Sequence, residues 1–173
     1  MLYEFDARRP KIGKDTYVSP TALVIGDVTI GDQCYIGHGA ILRGDYGSIE
    51  VGQATAIEEG VLVHAPPEQV CRIGNRITIG HGAIIHCRSI GDTVLIGMGA
   101  ILSIWAEIGE HSIVAEGCVV KLKQVIPPKV MVAGNPAKIV RDVVENDYGR
   151  WAQGKQLYVD LAKKYLDLGM REI

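Results

Sequence analysis

Aliphatic residues return every sixth position along most of this chain, and the pattern survives two interruptions. A first series is Ile12, Val18, Val24, Ile30, Ile36 and Leu42, and a second is Val51, Ile57 and Val63. A third runs Ile73, Ile79 and Ile85, slips by one residue, and continues Ile90, Ile96, Leu102, Ile108, Val114 and Val120. Four residues after most anchors stands a small or β-branched residue, among them Ala22, Val28, Cys34, Ala40, Val61, Ala83, Ala100 and Cys118. A six-residue period with two inward positions fits neither the helical repeat nor the simple alternation of one strand. It predicts short strands joined by bends, three to a coil, stacked about 4.8 Å apart into a triangular prism. Eighteen anchors make six coils.

This pattern resembles the left-handed parallel β-helix, an exception to the usual right-handed crossover. The expected fold is therefore an all-β solenoid over residues 1–140. Its two interruptions, "RGDYGS" at 43–48 and "APPEQVCR" at 65–72, are expected as loops on the functional face. After "VMVAGNPAKIV" the period stops at Gly134, Asn135 and Pro136. Trp151, Tyr158, Leu161, Tyr165 and Leu168 then recur at helical spacing, and Gly169 is placed to cap. Residues 141–173 are thus expected as an amphipathic α-helix packed on the prism.

Stacking turns the sequence into columns. The residue after each first-face anchor is Gly13, Gly31, Gly52, Gly74, Gly91 and Gly109. On the third face the same position reads Ile25, Arg43, His64, His86, Ser103 and Lys121, so His64 and His86 stack one coil apart. Zinc bound at about 2.0–2.1 Å needs ligand nitrogens about 3.3 Å apart, which two rings on adjacent coils reach by leaning together. His81 falls in another column, His38, Glu59, His81, Met98, beyond a bend. The three histidines meet only if the prism packs on copies of itself about a threefold axis. This predicts a homotrimer with metal at each subunit interface. A lone outward histidine is ordinarily a surface polar group, as His38 and His111 are expected to be. The hexad "IGHGAI" occurs at 36–41 and again at 79–84, so the Gly-His unit alone means little.

Composition removes several classes. The net charge is -2 and the basic residues are scattered, which argues against a nucleic-acid surface. No apolar run approaches the roughly 20 residues of a membrane span, and no secretory h-region is visible near the start. Four cysteines without C-x-x-C spacing read as reduced thiols in a cytoplasm. With 21 glycines and a single Phe, a large aromatic core is excluded.

The hexapeptide prism, "LRGDYGSI" at 42–49, His64 before a Pro-containing turn and "GHGAIIHC" at 80–87 together resemble the gamma-class carbonic anhydrase family. "MVAGNPAKIVRDV" and "LYVDLAKKY" are similar to its ferripyochelin-binding-like branch, placed with carnitine and phenylacetate catabolism. The resemblance implies that His64, His86 and a neighbour's His81 hold zinc, iron(II) or cobalt(II). It implies a hydroxide attacking carbon dioxide to give bicarbonate, with Arg43 binding the anion and Asp45 holding the guanidinium in a bidentate pair. Where the family's archetype has Gln-Asp, this chain has Glu58 and Glu59; Glu59 is expected as an interface acid and Glu58 as a proton acceptor. The archetype's Asn two residues earlier is Ala56. Its long acidic loop is reduced to "APPEQ", where Glu68 is offset by one residue. Tyr158 is a further candidate to reach the site, with helix packing as the plainer reading. Three rival activities share the fold: hydrolysis of acyl-CoA thioesters, acyl transfer by a hexapeptide transferase, and metal binding without catalysis.

Overall fold

The computed structural model describes the backbone of residues 1–173 and all side chains except those of 148, 150 and 151. The packing expected of Trp151 therefore lies outside the described residues. The chain winds as a left-handed parallel β-solenoid of about seven turns, followed by a helix. The extra turn comes from Val125–Ile126 and Val130–Ala133, which pair in parallel with Glu107–Ile108 and Ile113–Val114. Ile126 and Val132 keep the six-residue spacing past Val120, so the series of buried anchors runs one turn beyond the six coils expected.

The anchors are the core. Ile30, Ile36, Leu42, Ile57, Ile79, Ile85, Ile96 and Leu102 are all sealed from solvent, as are all four cysteine thiols. Glycine on the first face has a steric cause. A Cβ on Gly13 would stand 2.4 Å from the Gly31 carbonyl carbon, and one on Gly109 would stand 2.3 Å from the Pro128 nitrogen. The coils pass too closely there for any side chain.

The segment 43–48 is strand rather than an open loop, though a register shift bulges 45–48 opposite the single Asp27. It belongs to one unbroken strand, Ile41–Val51, which rounds a prism edge alongside Leu23–Ile30. These two strands join the first and third faces into a single twelve-stranded sheet, while the second face is an eight-stranded sheet. Of the second interruption, only 65–69 leaves the strands, since Val70–Ile73 pairs with Ser48–Val51. Both expected loops thus become one edge of the prism, closed by the Ser48 N–H on the Gln69 carbonyl (2.8 Å).

The helix α1, Glu145–Leu168, lies along the second face. Gly169 ends it, with φ 67° and its N–H on the Tyr165 carbonyl. Tyr158, Leu161, Ala162 and Tyr165 pack on Tyr17, Tyr35 and Ala56. The Tyr17 and Tyr165 rings stack at 4.5 Å, nearly parallel. Lys155 is sunk beside this cluster, 5% exposed, and its Nζ donates to the carbonyls of Arg76 and Val94. Among the described residues, no helix is long and apolar enough to cross a membrane.

Candidate functional site

Strand register builds the site. Arg43 pairs with His64, and Leu62–His64 aligns with Ile84–Ile85, which sets His86 next to His64. The two rings lie 4.8 Å apart at 36°. His64 Nε2 faces Asp45 Oδ1 at 3.2 Å, while Asp45 Oδ2 accepts from Arg43 Nη1. The expected bidentate Arg43–Asp45 pair is therefore single, because the other Asp45 oxygen serves His64 and the Tyr46 N–H (3.0 Å). Burial pushes the Asp45 carboxyl upward, but the hydrogen bond from Arg43 and that from the Tyr46 N–H bring it below the usual range.

His86 carries an orphaned ring nitrogen beside His64. Its Nε2 is buried with no hydrogen-bond partner. Burial, then the neighbouring His64 and Arg43, lower its pKa and keep the ring neutral. A neutral imidazole with a buried, unused lone pair, stacked on a second imidazole, fits a divalent cation of the zinc, iron or cobalt kind.

The turn carrying His81 sits on the far side of the third face. Its Nδ1 lies 2.8 Å from Glu59 Oε2 and its Nε2 3.2 Å from Glu58 Oε2. The His81 backbone N–H donates to the same Glu58 oxygen (3.1 Å). Glu58 is 5% exposed. Glu59 Oε1 accepts the Tyr35 hydroxyl at 2.7 Å. Burial raises Glu59, but the Tyr35 bond and the charges of His81 and His38 hold it below the ordinary carboxylate value. Burial, with Glu58 facing the hydroxyl, pushes Tyr158 up. Among the described residues, no three His, Cys, Asp or Glu side chains of the single chain converge on one point.

Other candidates find different places. Glu68 is exposed at the tip of the 65–69 turn, with φ 58°. Ala56 lies under α1 in the tyrosine cluster and not at the rim of the site. His38 is no free surface group: its Nδ1 meets Ser19 Oγ at 2.7 Å. Column reading overlooked Tyr35, although Tyr17, Tyr35 and Ala56 form a register column of their own. Two tyrosines over an alanine leave the space that the helix fills.

A cleft of about 480 Å³ adjoins Asp45, lined by Phe5, Asp6, Arg8, Asp45 and Tyr46. Arg8 donates to the Asp45 main-chain carbonyl.

Residues 9–44 match the bacterial transferase hexapeptide (six repeats) family. The chain is 36% identical over 94% of its length to gamma carbonic anhydrase 2, mitochondrial, of Arabidopsis thaliana, and spans 60% of that relative. It is 37% identical to the carnitine operon protein CaiE of a Proteus species, covering 92% of this chain and 81% of the relative. A carbonic anhydrase of Geobacillus kaustophilus is 30% identical, covering 95% and 91% of the two chains. Among solved structures, a hexapeptide transferase family protein from Anaplasma phagocytophilum superimposes with a TM-score of 0.90 at 31% identity, over 95% of this chain and 98% of that one. The chain belongs to the gamma-class carbonic anhydrase family of hexapeptide-repeat proteins.

Proposed function

We propose that the chain is a trimeric, metal-dependent enzyme that hydrates carbon dioxide to bicarbonate. His64 and His86 of one subunit and His81 of the next would hold the cation, zinc or alternatively iron(II) or cobalt(II). The observation that carries this reading is the buried, unpartnered Nε2 of His86 beside His64. A stripe of exposed apolar residues next to it, Leu62, Ile84 and Ile101, supports a subunit contact there. Three neutral imidazoles leave a divalent cation its full charge, which ionises water near neutral pH. Arg43 offers its guanidinium to the bicarbonate anion, and Asp45 fixes both Arg43 and His64. Glu58, buried and held by the His81 backbone N–H, would take the released proton. We place the protein in a reducing compartment, the cytoplasm, on its four buried free thiols.

The cleft at Phe5, Arg8 and Tyr46 favours a second reading, hydrolysis of a thioester such as an acyl-CoA at the same centre. Carbon dioxide needs no cleft of that size. Purified protein loaded with zinc, or anaerobically with iron(II), would be assayed for carbon dioxide hydration beside an acyl-CoA panel, with metal content and subunit mass measured together. The expected result is about one metal per chain, a trimeric mass, and loss of metal and activity in His64→Ala, His81→Ala or His86→Ala. Full metal occupancy in His81→Ala would overturn the shared site. Thioester turnover without hydration under either loading would move the assignment to the second reading.

A further inference from the structure

We propose that Tyr35 is a positioning residue for His81, acting through Glu59 to decide which ring nitrogen is offered to the cation. The proposal rests on the reading of His81 as a ligand. Tyr35 is 2% exposed, and its hydroxyl donates to Glu59 Oε1 at 2.7 Å. The other oxygen of that carboxylate faces His81 Nδ1 at 2.8 Å. One carboxylate thus spends each oxygen on a different partner, and Nδ1 is held as the N–H that donates to Glu59. With Nδ1 so engaged, Nε2 is the nitrogen left for a cation, and it turns from Glu58 Oε2, 3.2 Å away, to bind one. Histidine ligands are commonly oriented by a carboxylate on the other ring nitrogen, and losing such a partner weakens metal affinity about 10- to 100-fold.

Glu58 does not compete permanently for Nε2. Its Oε2 also accepts the His81 backbone N–H, so its carboxylate stays tethered when Nε2 turns to a cation. The relay spans three coils, with Tyr35, Glu59 and His81 on successive turns. That reach explains a departure from the family pattern. An aspartate at position 59 would be one methylene short of touching both neighbours. Tyr35 itself is braced from outside the prism: its ring lies 5.6 Å from Tyr17, 5.3 Å from Tyr158 and 6.2 Å from Tyr165. The last two belong to α1, so the docked helix braces the relay through Tyr35.

The test titrates cobalt(II) into metal-free, full-length protein against a chelator, comparing wild type with Tyr35→Phe, Glu59→Gln and Glu59→Asp. Tyr17→Phe is the control, since Tyr17 shares the cluster but does not bond Glu59. Long-range 1H–15N spectra of the metal-free proteins report which His81 nitrogen carries the proton. Tyr35→Phe and both Glu59 variants are expected to bind cobalt about tenfold more weakly, with shifted His81 nitrogen signals and wild-type subunit mass. Tyr17→Phe is expected to stay within twofold of wild type. Unchanged affinity and unchanged His81 signals in Tyr35→Phe would overturn the relay alone, as would an equal loss in Tyr17→Phe. Wild-type protein that takes up no cobalt would overturn the ligand reading, and the proposal with it.

Discussion

Lys155 gives the fold a pH dependence whose sign and size follow from its surroundings. Burial, and then the charge of Arg76, pull its pKa down to about 7. An unfolded lysine titrates at about 10.4. Between these values the unfolded chain holds a proton that the docked helix does not, so unfolding takes up a proton. Stability therefore rises with pH across this window, by about 1.4 kcal/mol per unit at most. The neutral amine still has two hydrogens, enough for the Arg76 and Val94 carbonyls, so deprotonation costs neither bond. From pH 7.5 to 9.5 the gain should be about 2.5 kcal/mol. The assay is urea unfolding followed by far-ultraviolet circular dichroism, for wild type and Lys155→Met, in a series of buffers. The window stops at 9.5 because Tyr35 and Tyr158, both raised by burial, give the opposite slope once unfolded tyrosines ionise. The difference between wild type and Lys155→Met should climb across the window. Parallel stability curves for the two proteins would refute the reasoning.

Three further outcomes are expected. Leu102→Ala empties a fully buried anchor and should cost about 3 kcal/mol in denaturant unfolding, with a loss under 1 kcal/mol showing that the coils relax into the space. Gly109→Ala drives a Cβ to 2.3 Å from the Pro128 nitrogen, and should cost about 1–3 kcal/mol in the same measurement. Asp45→Asn keeps an oxygen for His64 but removes the charge that holds Arg43. Stopped-flow hydration should fall about tenfold while metal content stays at the wild-type level, and full activity would remove Arg43–Asp45 from the mechanism.

Much of the prism is legible in the sequence, because inward positions recur at a fixed interval and stacked coils turn that interval into columns. Arg43, His64 and His86 become neighbours by counting alone. Counting fails where one element meets another of different period. Tyr35 belongs to the second face and Tyr158 to the helix, and no common repeat relates them. Lys155 shares the stripe of Tyr158 and Leu161 by helical spacing, yet nothing in the repeat announces the carbonyls of Arg76 and Val94 beneath it. The segment 43–48 misleads in another way. Gly, Asp and Ser there are turn formers by local preference, yet Gly44 pairs with Gly26 and Ser48 with Val70, which keeps both ends of the segment in the sheet around the shift at 45–47.

A stack of parallel coils ends in unsatisfied main-chain groups, which invite another molecule to add its own coil in the same direction. Here the chain answers at the second face. Lys138–Asp142 doubles back antiparallel on Val130–Ala133, with a register shift between Met131 and Val132. Lys138, Arg141 and Asp142 are exposed along it. An incoming coil would meet a charged strand pointing the wrong way. The last five residues of the eight-stranded sheet therefore act as a terminator against templated, end-to-end growth into fibrils, and they do so by chain direction more than by side-chain identity.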